Sequence, residues 1–285
     1  MDLMEQTLEF RISAARPFLS SPKEGDRMAL VLPERRIKED PRTLIWAAPL
    51  GDREKAVFKV YIHRGAAAHG CASFWPLCVQ LEYEALLCLE ENGIPCTEPL
   101  LWGMGRSSRY GRIDVLATRE IPEARSMRDG FRRQGMQISQ GLLMELARHG
   151  RRMHGCGVYH GAFSWKNVLV TSPSGEGPRI HIADMARSFR FPGDIAGSRM
   201  ARFDILHFCY HVARLMGRDT CLRFLLEYGF DARTAEEVLA VLPGYDPERR
   251  LPRELRRLEF QIQSTLSRLR GGARHGPAGN NGSCT

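Results

Sequence analysis

No stretch of the chain approaches the roughly 18–20 consecutive apolar residues that a membrane-spanning helix needs, so no such helix is expected. The opening MDLMEQTLEFRISAARPFLS has early acids and no long apolar core, unlike a secretory signal, and the expected location is cytoplasmic. The eight cysteines (Cys71, Cys78, Cys88, Cys96, Cys156, Cys209, Cys221 and Cys284) include no C-x-x-C pair. A zinc ribbon or thioredoxin-type site is therefore disfavoured, and cysteines among apolar neighbours read as reduced core thiols. Internal repeats are absent. So are RRM, zinc-finger and OB signatures, and no nucleic-acid partner is expected. The net charge of +8, carried mainly by arginine, still favours anionic partners.

The 285 residues, 43% hydrophobic and 26% charged, suit one large soluble domain or two lobes. The first part is rich in strand patterns. AVFKVYI (56–62) is a β-branched and aromatic run with one lysine inside it, and PLLWGMG and RIDVLATREI read as strands around the turn RSSRYG. Between them PLCVQLEYEALLCLEEN (76–92) has helical spacing at Leu77, Leu81, Ala85, Cys88 and Leu89. Pro76 opens it and Gly93-Ile94-Pro95 stops it. The rest is mostly helical, at 139–157, 201–217 and two following segments, with NVLVTS and RIHIADM as a two-stranded element. PRELRRLEFQIQSTLSRLR (252–270) is a basic amphipathic helix, read either as core packing or as a membrane-surface helix. The expected fold is α+β and bilobal: an N-lobe over 1–120, a helical C-lobe over 121–270 and a disordered tail over 271–285.

YHGAFSWKN (159–167) has the outline of a kinase catalytic loop, which carries His-x-Asp and, further on, Asn. His160 and Asn167 stand at the right separation, but the Asp position holds Ala162. Phosphoryl transfer needs a cation on the phosphates, an anchor for it, metal ligands, and a group orienting the acceptor hydroxyl. Lys59 in its strand and Glu82 on the following helix match the first two in kind and order. Asp184, ending IHIAD, and Asn167, opening the partner strand, offer hard oxygens suited to Mg²⁺. His160 is read as packing against the Asp184 turn. Asp204, an acid in an otherwise apolar helix, needs partners and is expected to hold the backbone of the 160–167 loop.

These residues resemble the bacterial lipopolysaccharide core kinases, the Kdo and heptose kinase family of protein-kinase-like fold. The resemblance runs over roughly residues 40–230. VFKVY (57–61) is similar to the family's lysine strand, and EYEALLCLEENGIPCTEPLLWG (82–103) to its helix, Gly-Ile-Pro exit and next strand. RRMHGCGVYHGAFSWKNVLV (151–170) resembles the H-x-x-G-Ile/Val-x-H lead-in to the catalytic loop. IADMAR (182–187) resembles the I-D-x-x-R metal motif, and RFDILHF (202–208) and LRFLLEY (222–228) the later helices.

The resemblance implies that Lys59 contacts the ATP phosphates, Glu82 pairs with it, Asn167 and Asp184 hold Mg²⁺, and Asp204 braces the loop. Glu120 and Ile121 would form the hinge that meets adenine. It further implies an acceptor in the lipopolysaccharide core glycolipid, at the cytoplasmic face of the inner membrane. Two departures stand out. Ala162 neither accepts a proton nor orients a hydroxyl, and Ser164 and Lys166 are poor bases at neutral pH. No G-x-G-x-x-G precedes Lys59, which leaves PLGDREKA (49–56) as the expected phosphate-covering turn. Two readings follow: a sugar kinase that works without the carboxylate, or a pseudokinase that binds nucleotide and regulates or scaffolds.

Overall fold

The structure is a computed structural model and describes residues 7–15, 24–31, 37–50, 54–63, 76–107, 109–134, 138–172 and 177–245. The segments expected as a basic helix (252–270) and a tail (271–285) lie outside the described residues.

Seven antiparallel strands form the N-lobe sheet. They are β1 (Thr7–Ala15), β2 (Arg27–Val31), β3 (Lys38–Asp40), β4 (Thr43–Leu50), β5 (Glu54–His63), β6 (Pro99–Ser107) and β7 (Gly111–Arg119), in the order β2-β1-β6-β7-β5-β4-β3. Alternation sets the faces. Leu8, Phe10 and Ile12 of β1 join Trp46, Phe58, Val60, Leu101 and Val115 in one buried cluster, with Trp46 stacked on Phe58 at 5.8 Å. Lys59 and Tyr61 must then face the other side of β5. Thr7–Ala15, within the opening segment read above only as a non-signal, is therefore a sheet strand. Its period-2 pattern of Leu8, Phe10 and Ile12 was the sign of it.

Helix α1 (Pro76–Glu91) crosses that other face, packing on β6 and β7. Its residues Val79, Leu86 and Leu89 belong to the large cluster that continues into the helical lobe through Leu142, Leu146, Phe163, Phe208 and Phe224. The lobe holds β8 (Arg125–Ser126), α2 (Met127–Gln134), α3 (Gln140–Gly155), β9 (Val158–Tyr159), a 3-10 turn (Trp165–Asn167), β10 (Val168–Thr171), β11 (Arg179–Ile182) and β12 (Phe189–Arg190). Helices α4 (Arg199–Met216), α5 (Arg218–Tyr228) and α6 (Ala232–Val241) complete it.

Side-chain oxygens satisfy orphan amides at the helix starts: Ser139 accepts from Leu142 N at 3.1 Å, and Ser198 from Ala201 N at 3.3 Å. The lobes are stitched together by backbone. Ile182 N donates to Pro95 O (2.9 Å) and Thr97 N to Ile182 O (3.0 Å), tying the exit of α1 to β11. Of the cysteines whose side chains are described, Cys88, Cys209 and Cys221 are buried, Cys96 and Cys156 are partly buried, and all five are free. No helix among the described residues is long and apolar enough to cross a membrane.

Because Phe10 is buried on β1, Phe10→Ala is expected to cost about 3–5 kcal/mol. Thermal unfolding of the variant checks this, and an unchanged Tm would mean that β1 is not part of the cooperative fold.

Candidate active site

Strand alternation sends Lys59 off β5 toward α1, where Glu82 is 2% exposed. The ammonium lies 3.0 and 3.2 Å from the two Glu82 oxygens. It also forms an ion pair with Asp184 from the helical lobe. Tyr61, two residues along the same face of β5, donates its hydroxyl to Glu82 Oε2 at 2.6 Å, and its ring lies 5.1 Å from the Lys59 ammonium. Tyr61 was missed in the sequence, although its i+2 spacing from the lysine was the available signal.

Burial alone would lower the Lys59 pKa. The Glu82 carboxylate, with Tyr61 and Asp184, outweighs burial and holds it well above the usual range. Burial would likewise raise Asp184, but the Lys59 charge and hydrogen bond bring it down to about 2.

Asp184 sits just past β11 with φ of 55°, a left-handed conformation that is uncommon outside glycine. The neighbouring Ala183 N donates to Asn167 O at 2.9 Å, which fastens the two ends of the β10–β11 hairpin side by side. Asn167 spends its amide donor on Ala162 O at 2.8 Å. Its carbonyl oxygen is then the atom of that side chain suited to a cation. Asn167 and Asp184 fit a site for Mg²⁺, which usually keeps its waters and phosphate ligands and takes only one or two side chains. Among the described residues there is no cluster of three or more His, Cys, Asp or Glu, so a cage built only of side chains is not on offer.

The loop carrying Ala162 is pinned from below. Asp204, fully buried on α4, accepts from His160 N (2.8 Å), Gly161 N (3.4 Å) and Phe163 N (3.5 Å). His154 Nε2 lies 3.3 Å from the same carboxylate, and its Nδ1 lies 2.6 Å from Tyr228 OH. His154 is the first histidine of the loop's lead-in and was given no role in the sequence. Gly161 has φ of 75°, and a Cβ there would come within 2.5 Å of Arg187 O. His160 donates from Nε2 to Ala183 O at 3.2 Å, burial lowers its pKa, and the neutral ring leaves Nδ1 as a lone pair. His160 Nδ1, Ser164 Oγ and Trp165 Nε1 are buried without hydrogen-bond partners. Three orphan polar atoms thus lie in the loop that holds Ala162.

The segment expected as the hinge and the turn expected over the phosphates come out differently from one another. Glu120 N donates to Lys55 O at 2.9 Å, and Ala124 N to Ile121 O at 3.2 Å. The Glu120 carbonyl and the Ile121 N–H have no backbone partner among the described residues. PLGDREKA joins β4 to β5, and its described ends pair Leu50 with Glu54 beside that hinge. Residues 51–53 themselves lie outside the described residues. Lys59 pairs with Ile45, nearer the opposite turn between β3 and β4. That turn, Asp40 to Thr43, lies nearer Lys59 along the paired strands than the 49–56 turn does. It needs no glycine because Asp40 Oδ1 accepts from both Arg42 N (2.9 Å) and Thr43 N (2.8 Å).

With this geometry in place, the comparisons become informative. Residues 70–206, just under half of the chain, match the family model described as Lipopolysaccharide kinase (Kdo/WaaP) family. The chain resembles the Kdo/WaaP lipopolysaccharide kinases over that span. The span contains Glu82, Ala162, Asn167, Asp184 and Asp204, and Lys59 precedes it.

A solved structure titled "WaaP in complex with acyl carrier protein" matches with a TM-score of 0.56 and 16% identity, covering 75% of this chain and 87% of that one. At such identity the likeness shows the fold, a bilobal kinase-like one. Some 546 solved chains match, so the fold is a common one and names no substrate by itself. Comparison with curated proteins gives no match.

Lys59→Met removes the main charge that holds Asp184 low and leaves burial, which raises it, against the smaller pull of His160 and Lys166. The Asp184 carboxyl should then titrate clearly above about 2. The stability linked to the depressed pKa, present above the unfolded-state value and lost as pH falls through about 2, should shrink with it. Carboxyl NMR titration of the two proteins checks this, and an Asp184 pKa still near 2 in Lys59→Met would contradict the ion pair.

Proposed function

We propose that this protein transfers the γ-phosphoryl group of ATP to a sugar hydroxyl of the lipopolysaccharide inner core. The observation that carries the reading is Lys59 gripped at once by Glu82 and Asp184, with Asn167 fastened beside Asp184 by backbone. Nothing in the packing of a merely structural domain calls for an ammonium bridging two carboxylates from two lobes at a cleft. Resemblance to the Kdo/WaaP family supports the acceptor class.

In this reading the Glu120 carbonyl and the Ile121 N–H pair with the adenine edge, and Lys59 meets the α- and β-phosphates, kept in place by Glu82 and Tyr61. Asn167 and Asp184 hold Mg²⁺, which neutralises charge on the phosphates. Asp204 and His160 keep the loop in shape without touching substrate. Lys59 would exchange its Asp184 partner for the nucleotide phosphates, leaving Asp184 ionised for the cation. An Asp184 pKa of about 2 keeps it charged throughout the physiological range. The acceptor glycolipid places the protein at the inner face of the membrane, as a peripheral visitor.

Ala162 is half-buried and presents only a methyl group and its carbonyl, which Asn167 already engages. It favours a second reading, a pseudokinase that binds nucleotide without turnover. Loss of a general base typically costs about 10²–10⁴-fold, and phosphoryl transfer leans mainly on positioning and charge, so the first reading survives the substitution.

Incubating the protein with γ-labelled Mg-ATP and dephosphorylated lipopolysaccharide core should label the core, and Asp184→Ala should abolish the label. Nucleotide binding with no label above the Asp184→Ala blank would leave the pseudokinase standing. Restoring the acid with Ala162→Asp is expected to raise the transfer rate about 10²-fold or more, read as kcat on the same acceptor. An unchanged rate would show that the position takes no part in the reaction.

A further inference from the structure

Strands β1 and β2 extend the N-lobe sheet beyond β6. One face of this extension is closed, because Leu8, Phe10 and Ile12 belong to the buried cluster. The other face is open. Register sets Arg11 opposite Arg27 on one side and Met104 on the other, and Glu9 opposite Ala29 and Arg106. All six of these residues are exposed. The row continues through Asp114 of β7 to Tyr61 of β5, so this is the outer end of the face that carries Lys59.

Charge on the open end is one-sided. Strands β1, β2 and β6 carry one arginine each and a single acid between them, Glu9. None of the three arginines has an ion pair among the described residues. Asp114, next along the row, is fully buried and already lies 2.9 Å from His63 Nε2 and 3.8 Å from Arg112 Nε. Neighbouring strands stand about 4.8 Å apart, so the three arginines are rooted within about 10 Å, close to the screening length of about 8 Å at physiological salt. Like charges directly opposite one another destabilise a strand pair, and Arg11 stands opposite Arg27 in this way.

The surface between these arginines is dished into a cavity of about 520 Å³. Its polar side chains, Glu9, Arg11, Arg27 and Arg106, are all exposed, so nothing buried grips a small anion there. Its one ring, Phe10, is 3% exposed and offers no platform for stacking nucleic-acid bases. Met104, by contrast, is an exposed apolar side chain among the arginines. An open cationic face with a thioether in its middle suits a broad surface of phosphates.

We propose that the open β2-β1-β6 face docks on an anionic phospholipid bilayer, with Arg11, Arg27 and Arg106 on the headgroup phosphates and Met104 between the headgroups. A guanidinium matches phosphate oxygens with two parallel donors, which an ammonium does not. Further along β6 and β7 the same face is covered by α1, so docking sets the bilayer beside the helix that carries Glu82. Taking this bilayer as the membrane that holds the acceptor rests on the kinase reading, whereas the docking itself does not.

The test is co-sedimentation of the full chain, without nucleotide, with vesicles of phosphatidylcholine alone or of phosphatidylcholine and phosphatidylglycerol in equal parts. The protein should bind the mixed vesicles, release them in high salt, and ignore phosphatidylcholine alone. Each arginine near an anionic surface is worth about fivefold in binding. The triple variant Arg11→Gln/Arg27→Gln/Arg106→Gln should therefore bind on the order of 10²-fold more weakly while keeping the wild-type Tm. A charge-matched control on the helical lobe, Arg148→Gln/Arg218→Gln/Arg233→Gln, removes exposed arginines paired with glutamates and should bind as the wild type does. Glu9→Gln, which removes the one acid of the face, should bind more tightly, and no loss of folding produces that result.

Equal binding to both kinds of vesicle, a triple variant that binds like the wild type, a control that weakens as much as the triple variant, or a Glu9→Gln protein that binds no more tightly each overturns the proposal. Release of the protein by glycerol 3-phosphate, but not by sodium chloride of the same ionic strength, would assign the face to a free phosphate ligand instead. Loss of single-stranded oligonucleotide binding in the triple variant, with vesicle binding intact, would assign it to nucleic acid. Because no ATP is present, failure of phosphoryl transfer would count against the kinase reading and not against docking.

Discussion

The Lys59 ammonium is the charge on which the arrangement of the two lobes turns. It is 13% exposed, and an ammonium so placed is costly unless it is paired. Glu82 supplies one partner from α1 and Asp184 another from the helical lobe. One buried cation therefore sets the position of α1 against the sheet and of the β10–β11 hairpin against both. The backbone stitch between Pro95, Thr97 and Ile182 acts at the same junction, so the lobes meet through hydrogen bonds as well as through charge. Tyr61 adds a hydroxyl to Glu82, which leaves the carboxylate little freedom to turn away.

The loop below is built by the reverse relation, a buried anion among backbone donors. Asp204 gathers three amides and His154, and Gly161 provides a turn that a side chain would block. This scaffold does not use the side chain at position 162. The loop therefore keeps its path with no acid at position 162.

Much of this was legible in the residues. A lysine inside an apolar strand, a glutamate on the next helix, an aspartate at the end of a short apolar run and an asparagine opening the partner strand each carry a local pattern, and their order along the chain suggested their grouping. The strand at Thr7–Ala15 was equally legible from its alternation but was passed over beside the question of a signal peptide. Order along the chain pointed to the 49–56 turn, whereas strand pairing sets Lys59 against Ile45, nearer the turn from Asp40 to Thr43.

By itself the sequence determined the bilobal α+β order, the identity of the cation and carboxylates, and the absence of an acid at position 162. These depend on local periodicity and residue chemistry, which are written in short stretches of chain. Only the tertiary structure decided that Lys59 reaches two carboxylates at once, that Tyr61 and His154 join these networks, and that Arg11, Arg27 and Arg106 share one face of the sheet. Those three are scattered over almost one hundred positions, and a charge acts through distance in space, which sequence separation does not record.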